Sequence, residues 1–387
     1  MKIYLCYYRS MYKYDYEYLV HLLYCFIHGI QPDEKPEGIS FKNVYKLGEI
    51  HEVSNIAFLS IDKLSRKPDA ELYNEWKINY YFSFEREEKQ KEEYEKIISL
   101  FHKNGIRTLE AQGTITKTLY PSSELRMMSD IDFIIDASNA EKAISLLEGE
   151  YEITKEKENE FNAHTQKGIE LEFHNEFFTK TMYNRAERYY DAINHPFEHA
   201  LPDKEDPLKY VLSDTYFYLY SVLHIIKHFE TAGCGIRRIL DLYYLKKAYE
   251  NKIDNELISK IIDENGFRKS YDSLFALEEL WFEGKESELD LGEAISDVIS
   301  AGNHGTNEIR TRNTIRQDRS AGKAFPKLSK IFGFIFPKKS YLLITYPEAE
   351  EKGYSYVRCW LHRALNTLKR FDFSHFTKYI KTVLKSK

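Results

Sequence analysis

The chain has 387 residues, a length that predicts two to three domains at roughly 150 residues each. It carries 55 Lys and Arg against 61 Asp and Glu, and this net charge of −6 excludes a strong overall attraction for nucleic acid or acidic membranes. With 43% hydrophobic and 30% charged residues, the chain is neither disordered nor fibrous. No apolar run approaches the roughly 18–20 residues that span a bilayer. The apolar run at the start is too short to predict a secretory signal, and the four cysteines lack framework spacing. We therefore expect a cytoplasmic protein without a membrane span.

The first region, residues 1–95, is predicted to be mainly helical. Apolar residues recur at helical spacing on both sides of a loop at residues 31–38, which holds two prolines and a glycine. The charged run at 85–96 leads into apolar residues, which predicts one long helix with a solvated face. We expect that helix to end near Asn104, because Gly105 can adopt a positive φ.

The second region, residues 96–205, is predicted to be a small mixed-sheet core. β-branched and alternating stretches predict strands there, separated by short helices, one after residue 114 that runs through Leu119 and one that starts near residue 140. The predicted strands are 106–111, 130–136, 151–154, 161–165 and 169–174.

Helix returns in the third region, residues 206–387. Residues 301–330 are rich in Gly, Asn, Arg and Thr, which predicts a loop or a poorly ordered connection. The fold class is therefore α+β, a mixed-sheet core flanked by N-terminal and C-terminal helical regions. The predicted helices are 216–229, 239–248, 257–262, 357–368 and 376–384.

Two predicted strands each carry a pair of acidic residues on one face. Alternation places Asp130 and Asp132 on the same side of their strand, and it does the same for Glu170 and Glu172. Neighbouring carboxylates resist ionisation unless a cation lies between them, and Mg²⁺ prefers oxygen ligands. If the strands are neighbours, a third carboxylate reaches the same metal site, and alternation alone does not choose between the two glutamates.

Phosphate-binding features surround the first acidic strand. Gly113 and Thr114 lie between a strand and a helix, where backbone N–H groups can approach a triphosphate. Arg126 follows that helix and can pair with phosphate oxygens through two hydrogen bonds. Each pattern alone is most often a solvated sheet face or a turn, but the order of these patterns along the chain is rarely met by chance.

This order resembles the polymerase-β-type nucleotidyltransferase superfamily. More closely, residues 109–133 resemble a bacterial family of uncharacterised nucleotidyltransferases, with its Tyr-Pro pair and its Arg-x-x-Ser-Asp-Ile-Asp block. Its acid-x-His strand matches Glu172 and His174. The resemblance extends over most of the chain, through a group of residues on the following helices: His224, His228, Gly233, Gly235, Arg237, Arg238 and Asp241.

The resemblance implies transfer of a nucleoside monophosphate from an NTP to a hydroxyl acceptor by a two-metal mechanism. Asp130, Asp132 and Glu172 would bind two Mg²⁺ or Mn²⁺ ions, and Glu172 would help to deprotonate the acceptor. The acceptor is a small molecule, a sugar or a protein, since the acidic chain disfavours a long nucleic acid.

Three alternatives remain open in the sequence. Gln112 stands where the family usually has lysine, which favours a catalytically inactive nucleotide-binding or protein-interaction module on the same fold. A glycosyltransferase also uses Asp-x-Asp, but about a hundred largely helical residues precede this one. His224 and His228 have the spacing of a zinc pair, but Ile225 replaces the glutamate of the metalloprotease signature. We interpret both as core histidines; in the alternative interpretation, His224 lines the nucleotide cleft together with Arg237 and Asp241.

Overall fold

A computed structural model shows that the chain forms two compact units. The first lies within Met1–Phe229 and Gly233–His304, and the second within Glu230–Ala232 and Gly305–Lys387. The described residues are 14–110, 112–157, 160–178, 186–320, 322–336, 354–369, 380 and 383–384.

From residue 14 onward, the described part of the first unit contains four successive helices: α1 (Asp15–His28), α2 (Phe41–Ile50), α3 (Ser54–Ile61) and α4 (Ala70–Lys103). Asp69 starts the long α4 by accepting a hydrogen bond from the backbone of Leu72 at 3.0 Å. After the helix ends, Gly105 has φ +71°, which confirms the predicted end of this helix.

A seven-stranded mixed sheet follows, with short α-helices between its strands. The bounds are β1 (Thr108–Glu110), α5 (Gln112–Lys117), β2 (Asp130–Ile135), α6 (Ala140–Leu147), β3 (Glu152–Lys157), β4 (Glu160–His164), β5 (Glu170–His174), α7 (Glu187–Ala192), β6 (Ala200–Pro202) and β7 (Lys209–Leu212). The spatial order of the strands is β3-β4-β5-β2-β1-β7-β6. Strands β2 and β5 are parallel neighbours, and β1 pairs antiparallel with β2 and parallel with β7. Strands β6 and β7 were not predicted.

One face of the sheet is covered by an apolar core. The buried rings of Phe133, Phe161 and Phe173 stack on one another, with centroids 5.1 and 4.5 Å apart. Phe101 of α4 and Ala143 of α6 belong to the same cluster. This packing fixes which side chains of β2 and β5 face away from the core, and therefore which residues are available for a site.

Helices from the C-terminal part of the first unit pack into a second, larger apolar cluster with the N-terminal helices. Leu109 and Ile134 join this cluster from the sheet. The helices are α8 (Asp214–Glu230), α9 (Ile236–Tyr249), α10 (Asn255–Glu264), α11 (Arg268–Glu278) and α12 (Gly292–Ala301), with a π-helical turn at Glu279–Glu283.

In the second unit, the prediction of a loop over residues 301–330 was wrong. This unit holds α13 (Asn307–Ser320), α14 (Pro326–Ile335) and α15 (Tyr356–Lys369). Ile309 and Ile315 are buried on α13, and the carbonyl of Thr231 accepts a hydrogen bond from Asn313 at 3.2 Å. Tertiary contacts therefore stabilise a helix whose composition is strongly polar. The prediction of a helix at 376–384 falls almost entirely outside the described residues.

The architecture confirms the predicted α+β fold, with a mixed sheet flanked by helices on both sides in sequence. Among the helices that the structure describes, every one is too short or too polar to cross a membrane.

Candidate functional site

The acidic residues of β2 and β5 come together through the parallel register of these strands. Asp132 is paired with Glu172, and Asp130 with Glu170, so the four carboxylates lie on one face of the sheet. The apolar residues between them point into the phenylalanine core on the other face. The sequence predicted that the acidic residues of each strand share a face. The structure shows in addition that the two strands are direct neighbours in the sheet.

Three side chains on this face could hold a metal ion: Asp132, Glu172 and His174. Each offers a ligand atom, and the three atoms lie within 4.8 Å of one another. The Nε2 atom of His174 lies 3.2 Å from an Asp132 oxygen and 3.3 Å from a Glu172 oxygen. Asp130 lies nearby on the same strand but is not one of the three.

The electrostatics of the cluster differ between the two aspartates. Burial raises the pKa of Asp130 to about 6, and the charges of Asp132 and Glu172 add to this rise. Burial also disfavours the charged form of Asp132, yet its hydrogen bond with His174 holds the pKa below the ordinary value. Burial would lower the pKa of His174, but its hydrogen bonds to Asp132 and Glu172 raise it to about 10.

This donor set fits a divalent cation. A protonated His174 stands between two carboxylates, in the place where a positive charge is needed. Mg²⁺ prefers the carboxylate oxygens, while Mn²⁺ also accepts imidazole nitrogen. Asp130 adds a further carboxylate whose raised pKa a nearby cation would lower.

A cavity of about 370 Å³ opens onto the acidic cluster. Its size lies in the range of small-molecule binding sites. The carboxylates come from the sheet, and most of the cationic and imidazole groups come from helices α8 and α9. The residues that line the cavity include Gln112, Gly113, Arg126, Asp130, Asp132, Glu172, His174, His224, Lys227, His228, Arg237, Arg238, Asn303 and His304.

The predicted phosphate-binding turn lies partly in this cavity. Gly113 lines it, and a Cβ atom at this position would lie 3.0 Å from the sulfur of Met128, so the close packing favours glycine. Thr114 is not among the lining residues. Gln112 is buried, and its side-chain oxygen is hydrogen-bonded to Nδ1 of His224 while its amide nitrogen is buried without a partner.

Arg126 is buried at the cavity wall and forms an ion pair with Asp241 of α9. Its Nε and Nη2 atoms donate to the two carboxylate oxygens at 2.8 and 3.0 Å. Tyr120 donates a further hydrogen bond to Asp241 at 2.7 Å. The remaining Nη1 atom lies 3.4 Å from the carbonyl of Gly113, so this ion pair links the start of α5 to α9.

Glu52 joins the N-terminal helices to the cavity wall. It has a φ of +54°, a left-handed conformation that costs free energy in a non-glycine residue. Its carboxylate accepts hydrogen bonds from Arg237, from Asn303 at 2.7 Å and from His304 at 2.8 Å. Although burial acts in the opposite direction, Arg237 and His304 lower the pKa of Glu52 to about 2.

His224 and His228 lie one turn apart on α8, and their Nε2 atoms are 3.1 Å apart. Burial lowers the pKa of both residues well below the ordinary value, so both are neutral at pH 7. They line the cavity, as one of our interpretations predicted for His224.

Several cavity residues were not predicted as site residues. His174 appeared only within the acid-x-His match, although alternation from Glu172 places it on the same face. Lys227, Asn303 and His304 carried no sequence signal, because they reach the cavity through tertiary packing. Arg238 appeared only in the resemblance to the family.

The fold and the site define an α+β protein with a candidate metal centre on one face of a mixed sheet. The chain belongs to the family of uncharacterised nucleotidyltransferases, whose model matches residues 37–283, more than half of its length. This match confirms the resemblance at the level of the family. No curated protein and no solved structure matches the chain significantly.

Proposed function

We propose that this chain is a metal-dependent nucleotidyltransferase of the polymerase-β type, which moves a nucleoside monophosphate from an NTP to a hydroxyl acceptor. One observation carries the proposal: parallel pairing of β2 and β5 brings Asp132, Glu172 and His174 within metal-ligand distance at a cavity. Membership of a nucleotidyltransferase family supports the substrate class.

Asp130, Asp132 and Glu172 would hold two divalent ions, Mg²⁺ or Mn²⁺. When bound, such ions activate the acceptor hydroxyl and neutralise the charge on the leaving pyrophosphate. The acceptor oxygen forms a bond to the α-phosphorus, and the bond from that phosphorus to the bridging oxygen of pyrophosphate breaks. The carboxylate of Glu172 takes the hydroxyl proton.

The phosphate chain would bind beside the acidic cluster. The backbone of Gly113 and Thr114 is the proposed donor to phosphate oxygens, and Gly113 lines the cavity. Arg126 is the proposed third member of this site. Its ion pair with Asp241 fixes the position of the guanidinium, and its Nη1 atom lies on the side of Gly113.

The test follows labelled phosphate from each NTP in the presence of Mg²⁺ or Mn²⁺ and a cell extract as the source of acceptors. Nucleotidyl transfer moves an α-phosphate label to an acceptor and leaves a γ-phosphate label on pyrophosphate. We expect transfer of the α label by the wild type, and a loss of at least a hundredfold in Glu172→Gln.

Glu170→Gln is the matched control. Glu170 occupies the same strand and the same face, but it is not among the cavity-lining residues. We expect this variant to retain transfer. If the wild type binds NTP but no NTP gives a labelled acceptor, and Asp132→Ala binds NTP equally well, the inactive binding module replaces the transferase. Transfer of a γ label would indicate a kinase instead.

A further inference from the structure

The cations around the cavity differ in whether the protein itself compensates their charge. Arg126 is paired with Asp241, and Arg237 donates to Glu52 and to the carbonyl of Met127. Both guanidinium groups are therefore held by protein oxygens. Their positions are fixed whether or not a ligand is present.

Arg238, the next residue on α9, lacks such a partner. It lines the cavity, and within the part of the chain that the structure describes its side chain makes neither a hydrogen bond nor an ion pair. Its Nε atom is buried without an acceptor. Asp241 is near, but Arg126 and Tyr120 already occupy its oxygens.

The electrostatic environment of Arg238 is accordingly unfavourable. Burial lowers the pKa of this guanidinium to about 10, and the charge of Arg237 contributes to the decrease, although the charge of Asp241 acts in the opposite direction. Burying a cation without a partner is costly, and an anionic ligand in the cavity would offset that cost. The charges of Asp130 and Asp132 attract Arg238, but among the described residues neither carboxylate forms an ion pair with it, and Asp132 is instead paired with His174.

A second cation from the neighbouring helix lines the same cavity. Burial and the charge of Arg238 lower the pKa of Lys227 to about 8, although Asp132 and Glu172 act in the opposite direction. The two cations therefore repel each other. An anion with several oxygens placed between them would bind both, and the unpartnered amide nitrogen of Gln112 offers a further donor on the cavity wall.

We infer that Arg238, together with Lys227, forms the subsite that binds the β- and γ-phosphates of the NTP and holds the pyrophosphate product. This inference rests on the proposed function, because it assigns the part of the triphosphate that the transferred group leaves behind. Arginine suits this role, since its planar guanidinium group can donate hydrogen bonds to two phosphate oxygens at once.

Binding of inorganic pyrophosphate to the full chain, measured by calorimetry in the presence of Mg²⁺, tests the inference without any turnover. We expect Arg238→Gln to weaken binding at least tenfold, Arg238→Lys to restore part of the affinity, and Lys227→Gln to weaken it less. The matched control is Arg66→Gln, which makes the same change at an exposed position and should bind like the wild type.

Thermal unfolding without ligand separates a binding role from a structural one. Since Arg238→Gln removes a partly buried cation that forms no ion pair with the described residues, its Tm should equal or exceed that of the wild type. Wild-type affinity for pyrophosphate in Arg238→Gln, no binding by the wild type, or a large drop in the Tm of this variant would each overturn the inference.

The two proposals fail in different ways. If pyrophosphate binding depends on Arg238 but no NTP labels an acceptor, the subsite stands and the transferase fails. If the wild type transfers the α label and Arg238→Gln binds pyrophosphate normally, the transferase stands and the subsite is wrong.

Discussion

Identical residues acquire different properties from their positions at this site. Asp130 and Asp132 are two residues apart on one strand, yet the pKa of the first is raised and that of the second is lowered. The difference comes from His174, which donates to Asp132 at 3.2 Å and has no such contact with Asp130. The sequence motif supplies both carboxylates, and the neighbouring strand supplies the hydrogen-bond partner that lowers the pKa of Asp132.

A carboxyl group outside the site provides a prediction at the same scale. Glu278 is fully buried at the end of α11, and burial raises its pKa to about 7. Lys246 lies 3.3 Å away but is shared with Glu279 and Glu283. Because the folded protein binds this proton more tightly than the unfolded chain does, the contribution of Glu278 to stability decreases as pH rises from about 4.5 to about 7.

We therefore expect Glu278→Gln to gain stability relative to the wild type between pH 5 and pH 8, by about 3 kcal/mol at most. Urea unfolding at both pH values measures the difference. Glu279→Gln is the control, because the pKa of Glu279 is lowered, chiefly by its hydrogen bond with Lys246, and the variant should show no such gain. A difference between Glu278→Gln and wild type that is the same at both pH values contradicts the prediction.

At the scale of elements, the core face of β5 positions its functional face. Phe173 lies between Glu172 and His174 in sequence, is fully buried, and stacks between Phe133 and Phe161. We expect Phe173→Ala to lower the free energy of unfolding by about 3–5 kcal/mol and Phe173→Leu to lower it by less. Urea unfolding tests this order, and equal losses for both variants would show that the stack does not fix the strand.

The sequence predicted elements that have strong periodicity and missed those that depend on neighbours. Alternation was sufficient for β2 and β5, whereas β6 and β7 have only three and four residues and are stabilised by pairing with each other and with β1. Helix α13 was not predicted because its composition is mostly polar, and its two buried isoleucines do not form a recognisable helical pattern.

The candidate site shows the same division between local and tertiary information. A period of two places Glu170 and Glu172 on one face, but it cannot tell which of them meets Asp132. The parallel register of β2 and β5 decides this, and it is a property of the folded sheet. Arg238 reaches the cavity from a helix more than sixty residues after β5 in the chain, so no local sequence pattern predicts that it lies beside the acidic cluster.

At the scale of the whole molecule, the two faces of the sheet in the first unit have different roles: one packs into the core and the other carries the candidate metal site. One face buries an aromatic core, and the other concentrates carboxylates that repel one another when no cation is present. The charged form of Asp130 is therefore disfavoured in the metal-free protein, which costs free energy at pH 7. A bound cation would recover that free energy, and metal binding is therefore expected to be linked to unfolding of the first unit.

Mn²⁺ should consequently raise the Tm of the wild type by several degrees, since a ligand at a hundred times its Kd adds about 2.7 kcal/mol to the folded state. Asp132→Asn should lose this shift because it removes one of the three candidate ligand side chains. Glu170→Gln should keep it, because the Glu170 carboxylate accepts a hydrogen bond from Asn162 at 3.2 Å and lies outside the cluster. Scanning calorimetry with Mn²⁺, and again after EDTA, measures the shift and its reversal. An equal shift in all three proteins would place the metal elsewhere and leave the cluster without its proposed role.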